Sequence, residues 1–393
     1  MKKLLLICIV WLCFCNGVQA QDPRFNMPLL NPIYLNPALV GSYGYYFDDQ
    51  PDVSYQDVLE EFQVQGQSLD IYRIFASHRS QRVGFDEPLL TTSFSADYFH
   101  SSTGLGFGLV AFRDALGGES RLRRHEASLV ASYTLYPSDK PNIIVKGGFQ
   151  LGAGRVNIND PGRLRFGDML NAQGMVVNPT TDPLFGRVDG ASYFNLSMGG
   201  QIMLNQQFWV GASLHNINRP DLSLVGGNSE DELGRRLTLY GGFTVSPKWF
   251  YLGNMTTQLV YQQQAGFNTL FVSERWHVTE NFFFGAGYLI SLKEINTGNT
   301  GNLSQRETML SFNVGVNYNG NSFAFNWDTG IGSNLEPNNA QSIEFTVIMT
   351  NILKRRIWCK FNAVWMRDGD NKNKTPISRR NKKRIRKNLK EQE

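Results

Sequence analysis

The chain has 393 residues, 41% of them hydrophobic, 12% aromatic and 18% charged, with 38 Gly and a net charge of +4. Sparse charge beside abundant Gly and aromatics is unlike a cytosolic enzyme and points to sheet. A mean hydropathy of −0.29 excludes a bundle of membrane-crossing helices but not a barrel, whose strands alternate apolar and polar residues and average to neutral.

The chain opens with Lys2 and Lys3, an apolar run from Leu4 to Val18, and the small-residue site Val18-Gln19-Ala20. This predicts a cleaved signal peptide over residues 1–20, since the run falls short of the ~20 apolar residues of a spanning helix. Cys8, Cys13 and Cys15 lie within it, and Leu12 and Phe14 are too large for a lipoprotein site. The exported chain would keep Cys359 alone, which excludes a small disulfide-stapled scaffold.

Residues 21–70 do not alternate and contain Pro23, Pro28, Pro32, Pro37 and Pro51, so they cannot be ordinary sheet interior. Asn36-Pro37-Ala38 reads as an Asn cap with Pro at the first helical position, predicting a short helix and a turn at Gly41. Such a segment would lie in a lumen or against a periplasmic rim, because free backbone is not stable facing lipid.

From about residue 71 to 351 the dominant pattern is period two, which sets a barrel over residues 71–353. Leu310, Phe312, Val314, Val316 and Tyr318 alternate with Ser311, Asn313, Gly315 and Asn317, and the same contrast recurs around Phe323 and Ile343. About 14 segments of this kind, each ~10–15 residues, suit tilted bilayer crossings and are too long for sandwich strands. Tight connections such as Ser101–Thr103 and Asn319–Asn321 alternate with longer ones such as Asn157–Asp189 and Arg219–Gly234. The fold class is therefore all-β, a transmembrane antiparallel outer-membrane barrel. Its inward faces are expected to be mostly Gly, Ser, Asn and Thr. Tyr98, Phe99, Tyr136, Trp209, Trp249, Phe250, Tyr251, Trp276 and Trp327 are expected to form interfacial girdles. Two features sit awkwardly: the segment at 71 alternates poorly, and the connection at Gly266-Phe267 is short for an outer loop.

Residues 354–393 hold 15 Lys/Arg against 4 Asp/Glu, while the rest of the chain is acidic. From Met366 onward the sequence reads as a disordered basic periplasmic tail. Arg379, Arg380, Lys382, Lys383, Arg384, Arg386 and Lys387 are candidates for contact with acidic periplasmic proteins or anionic polymers. Charge confined to the tail of an exported protein does not favour nucleic-acid binding.

No catalytic, metal or cofactor constellation is present. The five histidines lack ligand spacing, and Gly104-x-Gly106-x-Gly108 sits inside a strand rather than in a phosphate-binding loop. Asp368-Gly369-Asp370 opens like a calcium loop, but Lys372 falls where an oxygen ligand belongs. Glu60-Glu61 and Asp48-Asp49 read as solvated pairs rather than as acid/base machinery.

The run from Gln21 to Ser42 resembles the mature N-terminus of the PorP/SprF family, components of the type IX secretion system of Bacteroidetes. Asp22, Pro23, Phe25, Asn31, Pro32, Tyr34, Leu35, Asn36, Pro37, Ala38, Gly41 and Ser42 carry the resemblance. Met27-Pro28-Leu29-Leu30 departs from the family pattern, residues 43–70 are longer than typical, and the basic tail is additional. The resemblance implies an outer-membrane barrel without enzymatic activity that supports protein secretion or, in gliding members, adhesin delivery. It implies partners among the secretion machinery or a secreted cargo, with outer-membrane lipids around the barrel. The motif residues would then plug the lumen. The alternative is a channel resembling the FadL-type transporters of small hydrophobic molecules, which share an Asn-Pro-Ala element. A passive porin would need opposed charge rows.

Overall fold

The computed structural model describes residues 22–25, 30–42, 67–81, 88–100, 103–116, 122–135, 137, 143–158, 167–171, 175–177, 179–181, 190–205, 207–224, 232–245, 254–279, 281–292, 295–296, 304–305, 308–318, 321–331 and 341–356. The signal-peptide segment, the tail residues from Arg379 to Lys387, Tyr136, Trp249, Phe250 and Tyr251 lie outside them.

The strands are β1 (Gln67–Gln81), β2 (Leu89–His100), β3 (Leu105–Leu116), β4 (Leu122–Leu135), β5 (Ile143–Ile158), β6 (Ala191–Leu204), β7 (Phe208–His215) and β8 (Arg236–Val245). They continue as β9 (Met255–Gln264), β10 (Phe267–Thr279), β11 (Phe282–Ser291), β12 (Ile295–Asn296), β13 (Ser304–Gln305), β14 (Thr308–Tyr318), β15 (Asn321–Gly330) and β16 (Ser342–Arg356). All but β12 and β13 form one closed barrel of 14 strands, in which each pairs antiparallel with its sequence neighbour and β16 returns to β1. The short pair β12–β13 is a hairpin in the connection between β11 and β14. Among the described residues no helix is long and apolar enough to cross a membrane.

Alternation sorts the two faces as the sequence predicts. In β14, Phe312, Val314 and Val316 are 40–48% exposed on the outside, whereas Ser311 and Asn313 are buried inside. Phe107, Leu129, Phe149, Val210, Phe323 and Phe345 extend this exposed apolar surface around the barrel. A continuous surface of that kind is far larger than a soluble monomer exposes, and hydrocarbon supplies its natural cover. Closing the sheet leaves no unpaired strand facing lipid.

The connections at 101–104, 205–207, 280–281 and 319–320 share one rim with the start of β1 and the end of β16. The opposite rim carries the long connections 159–190, 216–235 and 292–307. The short connection on that loop rim is a two-residue turn: Ala265 and Gly266 both have positive φ (51° and 78°), and Gln264 pairs with Phe267. Positive φ at both central positions is the hairpin geometry that follows the strands' twist, which is why two residues suffice.

Two expectations are corrected. Phe99 and Trp209 are not girdle residues: both point inward and are buried at 1% and 3% exposure. Tyr98, Trp276 and Trp327 occupy outward, partly exposed positions. The inner face carries many Ser, Thr and Asn as expected, but the expectation omits a set of charges. Arg73, Arg79, Asp97, Asp114, Arg124, Glu126, Lys146, Arg236, Arg275, Asp328 and Glu344 all point inward and are buried. The irregular alternation of β1 has the same origin, since its inward row is Ile71, Arg73, Phe75, Ser77 and Arg79.

Candidate functional site

A barrel of this strand number is too wide to be filled by its own side chains, and the N-terminal segment occupies the space. Residues 32–35 form one helical turn and Pro37–Leu39 a 3-10 turn. Asn36 caps the second turn as the sequence predicts: its Oδ1 accepts from the Ala38 amide at 2.8 Å, and Pro37 needs no donor at the first helical position. Leu30, Ile33, Leu35, Ala38, Leu39 and Val40 are at most 2% exposed. Leu30, Leu35 and Leu39 share one apolar cluster with inward Phe75, Trp209, Tyr240, Phe271, Phe283 and Met309, so the segment and the far wall bury each other.

The segment runs from the loop rim to the turn rim. At the loop rim Asp22 meets the openings of β4 and β8 and the ends of β7 and β9. Its carboxylate pairs with Arg124 at 2.7 Å and with Arg236 at 3.5 Å. Asn216 and Gln264 donate to the same carboxylate, and the Asp22 amide donates to Gln264 Oε1. Burial opposes ionisation of this carboxyl, but the two guanidinium charges and the hydrogen bonds outweigh it and hold Asp22 well below the usual carboxylate range. Arg124 also pairs with Glu126 at 2.9 Å, and Tyr193 donates to Glu126 while accepting from Arg124.

Opposite this cluster, the Arg24 carbonyl accepts from Arg79, whose guanidinium lies 3.6 Å from Asp328 and donates to Ser342. Residues 22–25 thus span the lumen between two walls. Tyr34 ties the layers together: its hydroxyl donates to the Pro23 carbonyl at 2.6 Å, and its ring packs edge-on against Phe25 and Phe112. Arg236 stacks on the same ring at 4.4 Å and donates to the Tyr34 carbonyl. Burial pushes the Tyr34 phenol well above its ordinary value, with Arg236 acting in the opposite direction.

Deeper in the lumen, Asn31 donates to Ser93, and the Leu35 carbonyl accepts from Ser213 and lies 3.2 Å from His215 Nε2. Asn36 Nδ2 reaches the carbonyls of Gly200 and Ala212 and the Tyr240 hydroxyl, each within 3.1 Å. Gly148 lets β5 touch the segment, since a Cβ there would collide with the backbone of Pro37 and Ala38. At the turn rim the Val40 carbonyl accepts from Ser132 and Lys146. Gly41, at φ +68°, aims its amide at Asp97, which Arg73 holds with two hydrogen bonds.

The motif residues Asp22, Pro23, Asn31, Pro32, Tyr34, Asn36, Pro37, Ala38, Gly41 and Ser42 lie together among the inward-facing side chains of the barrel. The wall residues that grip the segment, above all Arg124, Glu126, Tyr193, Arg236, Asp97 and Lys146, are not singled out by the sequence reading. Their parity is the available signal, because each falls on the strand face opposite the apolar stripe. A gap lined by Asp22, Tyr34, Glu126, Gln150, Asn195 and Arg236 has space of about 10 Å³, enough for roughly one water. Among the described residues no group of His, Cys, Asp and Glu could hold a metal ion.

Outside the lumen, the β5–β6 connection presents Met175, Val176 and Val177 to solvent at 47–60% exposure. A bridge between Leu170 and Val176 holds them, with Asp168 accepting from Thr180 and Thr181. The Thr181 amide and the two threonine hydroxyls lower the Asp168 carboxyl below its ordinary value.

In sequence, the family described as type IX secretion system membrane protein PorP/SprF matches residues 67–349. No curated protein matches. Among solved structures the chain is similar to the toluene transporter TbuX of Ralstonia pickettii, with 11% identity, 87% of this chain and 95% of that chain covered, and a TM-score of 0.43. The toluene transporter TodX of P. putida has 10% identity, coverage of 87% and 96%, and a TM-score of 0.38. The outer membrane protein Omp33 of Acinetobacter baumannii has 8% identity, coverage of 71% and 98%, and a TM-score of 0.38.

Proposed function

Since the chain belongs to the PorP/SprF family of type IX secretion system membrane proteins, we propose that it works as a plugged, non-enzymatic docking barrel. In this reading it supports the export or surface delivery of a cargo protein through its two rims. The observation that carries the reading is the plug. Asp22 and Arg24 are tied to opposite walls at the loop rim, and Val40 and Gly41 are tied at the turn rim. Opening a path for solute would strand buried arginines without their carboxylates, at a cost of several kcal/mol for each broken pair. A filled cylinder leaves its ends as working surfaces. The exposed Met175–Val177 tip supports contact with protein at the loop rim, because single-chain barrels keep their longer loops outside the cell.

The test is affinity purification from native cells after mild detergent extraction, paired with a secretion assay on a variant lacking residues 31–42. Co-purification of secretion-machine proteins or of one large surface protein, with secretion lost in the deletion variant, is the expected result. Recovery of neither, together with flux of small hydrophobic solutes into liposomes bearing the intact protein, would overturn the reading in favour of a channel.

A further inference from the structure

On β3 to β5 the outward face changes character near the loop rim. The outward row of β4 runs through Leu135, Tyr133, Ala131, Leu129 and Ala127, all exposed, and then turns to His125 and Arg123. His125 is ten positions from Leu135, ~34 Å along the strand, which a tilt of ~40° reduces to ~26 Å of membrane depth. The apolar band of an outer-membrane barrel is ~25 Å tall, so His125 and Arg123 fall where hydrocarbon gives way to headgroups. Arg113 on β3 is directly opposite His125, and Arg155 on β5 is opposite it on the other side. Arg113, His125 and Arg155 are exposed, and Arg123 is half-buried.

We propose that Arg113, Arg123 and His125, with Arg155 beside them, form a binding site on the outer wall for the phosphate groups of outer-leaflet lipid. Three observations carry the assignment. The first is charge. The carboxylates of β2, β3 and β4 are Asp97, Asp114 and Glu126, all of which point inward and are buried, and β5 has none. Among the described residues no carboxylate pairs with Arg113, Arg123 or His125. The charges of Arg113 and Arg123 both bear on the His125 imidazole, so two cations share one small area, and like charges so placed repel unless an anion bridges them. The second is geometry. An arginine fork donates to phosphate oxygens in pairs, and the imidazole between the two forks adds a further donor. The third is depth. Below the cluster on the same face, Leu129 and Leu151 are opposite each other in register and exposed. A phosphate held at the cluster would therefore have its acyl chains lying along apolar wall, which a free anion cannot use. The leaflet follows from the loop rim facing out of the cell, and the site stands whether or not that rim docks cargo.

The experiment uses the full-length protein, stripped of lipid in detergent micelles, with bound lipid read by native mass spectrometry. The probes are lipid A carrying both phosphates, the same lipid dephosphorylated, and inorganic phosphate. The phosphorylated lipid should bind and raise the unfolding temperature, and the dephosphorylated form should bind at least ~10-fold more weakly. R113Q/R123Q should weaken binding of the phosphorylated lipid by about 30-fold, the combined share of two cations at an anionic lipid surface, while unheated gels still show the compact barrel. R235Q removes an exposed cation elsewhere on the same rim and should leave binding unchanged. Excess inorganic phosphate should not displace the lipid. Equal binding of the two forms of lipid A would overturn the proposal, and this comparison needs only the unmodified protein. The proposal would equally fall if R113Q/R123Q bound as tightly as the parent, or if R235Q lost as much as R113Q/R123Q, because rim charge in general would then explain the contact. Displacement by inorganic phosphate would make the site one for the free anion and reject the lipid. None of these measurements involves secretion, so their failure leaves the docking reading standing, and loss of that reading leaves the lipid site standing.

Discussion

Asp22→Asn tests whether the plug is held by charge. The substitution keeps the shape of the side chain and removes the negative charge that pairs with Arg124 at 2.7 Å and Arg236 at 3.5 Å, all three side chains being at most 9% exposed. Arg124 retains Glu126 at 2.9 Å, but Arg236 is left with the carbonyl and ring of Tyr34. Breaking one side of a buried pair costs about 3–5 kcal/mol, and the retained Glu126 places the expected cost at the lower end, about 3 kcal/mol. That corresponds to a ~150-fold increase in the equilibrium for releasing the segment. Ser42→Cys, in a chain carrying Cys359→Ser, reports release directly: Ser42 is 1% exposed and its hydroxyl has no partner, so the exchange removes no hydrogen bond. With reclosing fast, thiol-labelling rates at position 42 scale with the release equilibrium. Adding Arg236→Met to Asp22→Asn should recover part of the loss by removing the stranded charge. A change in labelling below ~3-fold for Asp22→Asn, against the ~150-fold expected, would refute the argument and make this end of the lumen a wet, screened environment.

Three further outcomes follow from the same geometry. The folded-state pKa of Asp22 lies below its unfolded value, so its contribution is fully present above the ordinary carboxylate range and is lost as pH falls through the depressed value. The stability difference between the parent and Asp22→Asn, followed by thermal unfolding, should hold from about pH 7 to about pH 5 and shrink only in stronger acid. Gly148→Val, placed in the Ser42→Cys reporter chain, should displace Pro37 and Ala38 and speed labelling of the introduced thiol while unheated gels still show a closed barrel; slow labelling would mean that β5 does not grip the plug. Val314→Arg should destabilise the barrel by ~2–4 kcal/mol in urea unfolding from liposomes if it faces the bilayer midplane, whereas Val177→Arg on the outer loop should cost under ~0.5 kcal/mol. Similar small costs for both would contradict a lipid-facing stripe.

The barrel is largely legible in the sequence because hydrocarbon outside and a polar lumen inside impose opposite demands on successive residues. The row Phe312, Val314, Val316 displays that rule without reference to any other strand. Phe99 and Trp209 depart from the girdle expectation for a reason that parity exposes. Phe99 shares its face with Thr91, Ser93, Ser95 and Asp97, and Trp209 shares its face with Ser213 and His215, all of them inward. The plug residues are visible as a segment unable to pair in a sheet, and the Asn36 cap and the turn at Gly41 are visible as local chemistry. Their partners are not. Arg236 is 214 positions from Asp22, and which strand brings its guanidinium to that carboxylate depends on closure and register rather than on any local pattern. Strongly charged inward residues such as Lys146 make sense only once Val40 and its carbonyl are known to lie opposite.

The seam between β1 and β16 joins the first strand of the cylinder to the last, and the segment preceding that first strand already lies within it. Such an arrangement dictates an order of events during biogenesis. The amino-terminal stretch has to be enclosed while the sheet is still open, or else be threaded through a narrow mouth afterwards. If the stretch is enclosed, completion of the seam is the step that traps the contents.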